Sequence, residues 1–184
     1  MRRHTRIQAG IGIAAAALGA FAIIGLLRRH PVGNPRVPEP AKSVDLGRYL
    51  GHWFEIARYD QHFERGCGAA TADYALRPDG RIDVLNRCRR ADGRVEEARG
   101  IAKVADVETN AKLKVSFFPP FYGDYWILDH SGDYSWSIVG EPSGRYLWIL
   151  SRLANPDDAR IGRLVNRAAA LGYDTSLLVF DRNP

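Results

Sequence analysis

The stretch GRYLGHWFEIARYDQHFERG, residues 47–66, directly follows a proline-rich run and marks the predicted start of a folded domain. Gly51 and Trp53 stand two positions apart in it, and apolar residues alternate with polar ones after the tryptophan. Alternation with a period of two residues is typical of a half-buried β-strand. The stretch therefore predicts a first strand that begins at a glycine and carries a large aromatic side chain.

The same pattern continues from Gly51 to Arg152, where short segments rich in β-branched and aromatic residues are separated by Gly, Pro, Asp or Asn. The predicted strands are WFEIARYD, AATADYALR, RIDVLNRC, RVEEARGIAKV, KLKVSFF, YGDYWILDH, YSWSIVGE and RYLWILSR. Their spacing is that of an all-β sandwich or barrel, and short connections make successive strands antiparallel neighbours. Because a closed sheet has no exposed edge, we predict an all-β, eight-stranded antiparallel up-and-down barrel.

One helix and a ninth strand follow the eight predicted strands. Asn155 is the predicted N-cap, Pro156 occupies the first helical position, and Gly172 ends the helix. The strand SLLVFD, residues 176–181, then returns to the sheet. An apolar stripe predicts that the helix packs on the outside of the sheet, with its arginines turned away. The stripe is Ile161, Leu164, Val165, Ala168 and Leu171, and the arginines are Arg160, Arg163 and Arg167.

Residues 1–29 have the composition of a signal anchor or a signal peptide. No residue from Ile7 to Leu27 is charged, and these 21 residues would form a helix about 30 Å long, close to the hydrocarbon thickness of a bilayer. The run is longer than a usual secretory core, which favours an uncleaved anchor over a cleaved signal. Four prolines make residues 30–43 a semi-rigid linker, so the domain is predicted to span 44–184.

The net charge of +5 does not indicate a nucleic-acid-binding protein. Basic residues are dispersed over the domain, and five arginines flank the N-terminal apolar run instead of forming a binding face. These are Arg2, Arg3, Arg6, Arg28 and Arg29. We predict no nucleic-acid partner.

Cys67 and Cys88 lie on either side of RPDGR, a predicted turn. If the flanking strands pair as a hairpin, the two sulfur atoms approach each other across it. An exported chain meets an oxidising compartment, which favours a disulfide, and two buried free thiols are the alternative. Two cysteines without a histidine cluster do not make a metal site, so no metal is predicted.

The order of these motifs resembles that of the lipocalins. Gly51-His52-Trp53 matches the first signature of that family, Gly132-Asp133-Tyr134 the second, and Arg152 the third. The strings WFEIARYD, FERG and YLWILSR are most similar to those of bacterial lipocalins related to apolipoprotein D. The resemblance covers the whole domain. It implies that Trp53 plugs the closed end of the barrel and that Arg152 lies across it in a cation–π contact, so that both are structural.

The resemblance also implies a place in the cell envelope, because members of that bacterial group are usually outer-membrane lipoproteins. Phe21 stands where the lipidated cysteine of such a protein would be, and no cysteine precedes Cys67. We therefore expect attachment through the apolar segment to the inner membrane, with a periplasmic domain. A secreted or outer-membrane-associated protein, after signal cleavage, is the alternative.

An eight-stranded barrel is wide enough to hold one small ligand. Strand alternation, counted from Arg152 and, by the family resemblance, from Tyr134, predicts which side chains face inward. The predicted pocket residues are Trp136, Trp148, Tyr146, Tyr125, Ile127, Val115, Phe117 and Ile138. A solid core without a cavity is the alternative. FFPPFY, residues 117–122, is a candidate for an exposed apolar lip at the mouth.

These features favour a protein that binds, stores or transports a small hydrophobic ligand, such as a fatty acid or lysophospholipid, and supports membrane maintenance. No cofactor is predicted. One alternative is an enzyme with the lipocalin fold, which would use Glu55 or an unpaired thiolate of Cys67 or Cys88. Another is an interaction module whose lip, with Phe118 and Phe121, docks a partner or forms a homodimer.

Overall fold

The structure is a computed structural model that describes residues 31–181. The chain divides into two units, residues 1–31 and 32–184, and the description concerns the second. The predicted signal anchor or signal peptide, residues 1–29, lies outside the described residues. Between residues 31 and 181, no helix combines the length and the apolar character needed to cross a membrane.

Nine antiparallel strands form one sheet in the order β2-β3-β4-β5-β6-β7-β8-β1-β9, and a further pairing of β1 with β2 closes it into a barrel. The strands are β1 Gly51–Tyr59, β2 Cys67–Leu76, β3 Ile82–Arg90, β4 Val95–Val104, β5 Lys112–Phe118, β6 Phe121–His130, β7 Trp136–Gly140, β8 Leu147–Ser151 and β9 Leu178–Phe180. The helices are α1 Leu46–Tyr49, α2 Asp158–Ala170 and a 3-10 turn at Thr175–Leu177. The predicted eight-stranded barrel, with its helix and ninth strand, is confirmed.

One end of the barrel is closed by the residues that begin β1. Gly51 has a φ of 93°, a left-handed conformation that favours glycine, and it links α1 to the strand. Trp53 is fully buried, and its indole nitrogen donates a hydrogen bond to the carbonyl of Tyr49 at 2.8 Å. Arg152 covers the indole face. The glycine, the tryptophan and the arginine thus form one plug, as the family resemblance implied.

A second apolar core lies outside the barrel, under α2. Leu164 and Ala168 of the helix pack there against outward-facing residues of β1, β6, β7 and β8. The helix begins later than predicted. Asp157, not Asn155, is its N-cap, and the Asp157 carboxylate accepts a hydrogen bond from the backbone N–H of Arg160 at 2.6 Å. Aspartate is as good an N-cap as asparagine, so the run NPDD offers more than one possible start.

Residues 31–43 contain no helix or strand, but part of this segment is held against the domain. Asn34 is 2% exposed and donates from its amide to the carbonyl of Leu171 at 2.9 Å. Gly33 donates a backbone hydrogen bond to Gly144, also at 2.9 Å. A Cβ atom at Gly144 would clash with the backbone of Asn34, so only glycine allows this close approach.

Cys67 and Cys88 form a disulfide, which confirms the favoured prediction and excludes the free thiols. β2 and β3 pair from Cys67 with Arg90 to Leu76 with Ile82. The turn at residues 77–81 lies at the closed end of the barrel, and the disulfide lies at the opposite end. The disulfide therefore joins the first residue of β2 to a residue near the end of β3, beside the barrel mouth.

Candidate functional site

The lower half of the barrel interior carries a chain of tyrosine hydroxyls above the Trp53 plug. Tyr125 lies 2.9 Å from the hydroxyl of Tyr49 and 3.1 Å from that of Tyr74, and Tyr49 also contacts Ser137 at 3.4 Å. Burial raises the pKa of Tyr49 to about 12 and raises the pKa values of Tyr74 and Tyr125 as well. All three hydroxyls therefore stay neutral and can both donate and accept hydrogen bonds.

The space beside these hydroxyls is small. A cavity of about 10 Å³ lies among Tyr49, Tyr74, Tyr125 and the apolar side chains around them, which is about the volume that one water molecule needs. The solid-core alternative thus describes this lower half. Any larger ligand has to lie above the tyrosines, nearer the mouth.

Above the tyrosines the barrel wall is incomplete, because two pairs of strands separate toward the mouth. β1 pairs with β2 only from Gly51 to Phe54. β4 pairs with β5 only from Ile101 to Val104. Beyond these points β2, β3 and β4 continue as a ribbon that forms one wall of a flared opening.

The inward positions of this upper region carry small side chains. Register places Ala98 and Gly100 on the face that Ala102 and Val84 share in the interior. Every residue from Val95 to Arg99 is exposed, so the inward face of β4 is open to solvent as well as the outward face. Ala72 of β2 and Gly123 of β6 are further small residues with inward register. The upper barrel is therefore an open cup above a filled floor.

Exposed aromatic residues surround the mouth. Phe118 and Phe121 are 80% and 77% exposed, on either side of the β5–β6 turn. Phe63 of the β1–β2 loop is half-exposed and stacks on Tyr146 at a ring distance of 6.3 Å. Phe117 belongs instead to the interior cluster. The lip predicted at 117–122 thus consists of the exposed residues of this turn, including Phe118 and Phe121.

A buried ionic cluster lies along the β1 wall of the cup. Arg58 is 2% exposed and donates to Glu55 at 3.0 Å. Its guanidinium lies 3.4 Å from the Glu64 carboxylate and also contacts the carboxylate of Asp181. Gln61 is completely buried, and within residues 31–181 its amide has no hydrogen-bond partner. One cation thus faces three carboxyl groups.

The excess of carboxyl groups, together with burial, favours protonation. Burial raises the pKa of Glu64 to about 7, although the neighbouring Arg58 and a hydrogen bond from Trp148 act to lower it. Burial and the charges of Glu64 and Asp181 raise the pKa of Glu55 well above its ordinary value. Burial also raises the pKa of Asp181. At neutral pH the cluster therefore holds protons that exposed carboxylates would release.

Six of the eight predicted pocket residues lie within or beside the barrel interior. Five belong to the interior core or pack against it, and Tyr146 stacks on one of them, Trp148, at 6.0 Å. These five are Trp148, Tyr125, Ile127, Val115 and Phe117. Their parts in ligand binding remain predictions.

Trp136 and Ile138 lie outside the barrel, in the core under α2, which corrects their predicted inward direction. The prediction counted by twos from Tyr134. Tyr134 has a φ of 58° and belongs to the turn before β7, so strand alternation does not extend through it. In β7 the inward residues are Ser137 and Val139, which register pairs with Leu150 and Trp148.

The sequence prediction did not include Arg58, Glu64 or Asp181. A register shift between Glu55 and Ala57 places two consecutive residues, Ile56 and Ala57, in the outer core. Arg58 consequently returns to the inward face beside Glu55. A charged residue inside an apolar strand was the available signal, because such a residue is buried only when it is paired.

The barrel, its plug and its outer helix can be compared with known proteins. The model of the Lipocalin-like domain family matches residues 44–183. The chain is a lipocalin. It is 38% identical over 173 residues to the outer membrane lipoprotein Blc of Escherichia coli. The alignment covers 94% of this chain and 96% of the relative.

Eukaryotic lipocalins are also similar to this one. Temperature-induced lipocalin-1 of Arabidopsis thaliana is 42% identical over 149 residues, or 76% of this chain and 80% of the relative. Among solved structures, insecticyanin from Manduca sexta superposes with a TM-score of 0.65 at 20% identity, covering 84% of this lipocalin and 88% of insecticyanin. The structural match shows the shared fold.

Proposed function

We propose that this lipocalin binds and carries a small hydrophobic ligand in the cell envelope, and that the ligand is a fatty acid, a lysophospholipid or a similar lipid. The observation that carries the proposal is the open cup above the tyrosine floor, where Ala98 and Gly123 leave room that larger side chains would fill, whereas the Phe117 ring already covers Gly100. The relationship to an outer membrane lipoprotein supports the envelope location and a role in membrane maintenance.

The cup offers a lipid both apolar and polar contacts. Phe117, Val115 and Trp148 supply apolar surface, and each methylene that leaves water there contributes about 0.8 kcal/mol to binding. Arg58 is already surrounded by carboxyl groups, so it is a poor partner for a ligand anion. Protonated Glu64 and the tyrosine hydroxyls are instead neutral hydrogen-bond partners for the polar end of a lipid.

Two observations favour binding over catalysis. The disulfide leaves neither Cys67 nor Cys88 as a thiolate nucleophile. Glu55, the carboxyl group of the enzyme alternative, is buried and accepts a hydrogen bond from Arg58 at 3.0 Å. Attachment to the inner membrane through residues 1–29 is a separate part of the proposal, and fractionation of the envelope with mass spectrometry of the mature N-terminus tests it.

Ligand binding is tested by extracting lipids from the purified chain and by displacing a fluorescent fatty acid from it. We expect a co-purifying lipid with one acyl chain and saturable displacement at micromolar concentrations. The absence of saturable binding at micromolar ligand would refute the lipid-carrier function.

A further inference from the structure

A groove lies on the outside of the barrel, between helix α2 and strand β7. Its volume is about 320 Å³, within the range of small-molecule sites. The side chains around it are Trp136, Leu164, Arg160, Arg163 and Arg167. This groove is separate from the cup, because Trp136 lies on the outward face of β7.

The helix supplies one wall of the groove through its periodicity. Arg160, Arg163, Leu164 and Arg167 are spaced three and four residues apart and therefore share one face of α2. Leu164 is buried and forms the base. These arginines, which the apolar stripe predicted to point away from the sheet, thus line a groove whose opposite wall is the indole of Trp136.

The groove carries positive charge that the residues described by the structure compensate only in part. Arg167 forms an ion pair with Asp129, which also contacts Lys42 at 2.7 Å. Arg160 donates to the neutral hydroxyl of Ser135 at 2.7 Å. Arg163 forms no hydrogen bond or ion pair with any residue between 31 and 181. One carboxylate is therefore shared by two cations, and the other two guanidinium groups have no anionic partner among residues 31–181.

We propose that this groove binds a phosphate ester. Guanidinium groups bind phosphate through paired hydrogen bonds, and the charges of Arg160 and Arg163 match the charge of about −1.5 to −2 on a phosphate monoester at neutral pH. A phosphate ion alone leaves most of the groove empty. The organic part of the ester lies on the Trp136 indole and Leu164.

The indole N–H signal of Trp136 reports binding in nuclear magnetic resonance spectra of the ¹⁵N-labelled full chain, and Trp136→Phe assigns that signal. The chain is held in a non-ionic detergent, which carries no phosphate. The probes are glycerol 3-phosphate as a soluble ester, dihexanoyl phosphatidic acid as a lipid ester, and inorganic phosphate. We expect a saturable shift with at least one ester, and inorganic phosphate to bind at least about tenfold more weakly, because it makes no contact with the indole.

The groove variant combines Arg160→Gln and Arg163→Gln. Its charge-matched control combines Arg94→Gln and Arg99→Gln. Arg94 and Arg99 are 74% and 73% exposed and lie away from the groove. Arg167 is left intact, because its loss would remove a partner of buried Asp129. We expect the groove variant to weaken ester binding at least about tenfold, and the control less than about twofold.

The preferred ester identifies the source of the ligand, a soluble metabolite or a lipid headgroup. Three results would overturn the proposal: no saturable shift of the Trp136 signal with either ester, equal affinities for inorganic phosphate and the esters, or equal weakening by the two charge-matched variants. Thermal unfolding of each variant shows whether a loss of binding reflects a loss of fold.

Discussion

The guanidinium carbon of Arg152 lies 3.7 Å from the centre of the Trp53 indole ring, where the two side chains close the bottom of the barrel. The same guanidinium donates to the backbone carbonyls of Arg48, Tyr49 and Leu50 at 3.0, 2.9 and 2.8 Å. These carbonyls belong to α1 and its end, so Arg152 ties the segment before β1 to the end of β8. The contact is part of the fold rather than of the ligand site.

Replacing Arg152 by lysine keeps the charge but removes the planar group that covers the indole and reaches several carbonyls. We expect the free energy of unfolding to fall by about 1 to 3 kcal/mol, as measured by urea denaturation. Arg94→Lys is the control, because Arg94 is exposed. Equal midpoints for the two variants would contradict a structural role for Arg152.

The raised pKa values of the carboxyl groups around Arg58 predict how the stability of the fold depends on pH. The pKa of Glu64 is raised from 4.5 to about 7 in the folded chain, so the folded state holds this proton more tightly than the unfolded state. The resulting stabilisation is complete below about pH 4.5 and is lost as the pH rises through about 7. The raised pKa values of Glu55 and Asp181 act in the same direction.

We expect the free energy of unfolding to fall by on the order of 1 to 3 kcal/mol between about pH 5 and pH 8, measured by urea denaturation at each pH. Glu64→Gln should flatten this dependence, since it removes the titrating group. Glu97→Gln is the matched control. Glu97 lies on the outside of β4, and its hydrogen bond with Arg87 lowers its pKa below this range. An unchanged slope in Glu64→Gln would assign the dependence to other groups.

Strand alternation predicted the interior well only where a strand is regular. In β8, alternation counted from Arg152 places Leu150 and Trp148 inside, as the structure has them. It failed in β7, where the count passed through the left-handed residue Tyr134. A bulge and a positive φ each shift the alternation by a residue, and neither has a distinctive composition here.

The ionic cluster shows a second limit of prediction from sequence. Asp181 meets Arg58 because β9 pairs with the second half of β1, and the carboxylate then accepts a hydrogen bond from the backbone of Ala70 at 2.7 Å. That contact joins residues more than a hundred positions apart. No local pattern specifies it, so the sequence predicted the strand but not its part in the site.

Filling the cup should abolish ligand binding without disturbing the barrel. Ala98 has inward register on an exposed stretch of β4, so phenylalanine at this position occupies the cup rather than the packed core. We expect Ala98→Phe to weaken binding of a fluorescent fatty acid at least about tenfold, with little change in the unfolding midpoint. Val95→Phe places the same ring on the outward face of the strand. Equal affinities in the two variants would place the ligand elsewhere.

Removing the disulfide should destabilise the hairpin beside the mouth. Cys67 and Cys88 lie 21 positions apart in the sequence, and a loop of this length gives a stabilisation of about 3 kcal/mol in the chain-entropy description. We expect the double variant Cys67→Ser and Cys88→Ser to lose up to this amount in urea denaturation. The parent protein is measured in parallel, with its disulfide intact and after reduction. Identical midpoints for the parent and the variant would show that the β2–β3 ladder alone holds the hairpin.

The exposed rings of Phe118 and Phe121 test the interaction-module alternative. Because both rings are more than three-quarters exposed, changing both to serine removes little buried surface, and we expect the free energy of unfolding to stay within about 0.5 kcal/mol of the parent value. If the lip joins two copies, light scattering should show a loss of dimer in this variant. Leu76→Ser with Val107→Ser is the control, since these residues are 61% and 80% exposed at the opposite end of the barrel. Equal association of the parent and the lip variant would exclude Phe118 and Phe121 as a dimer contact.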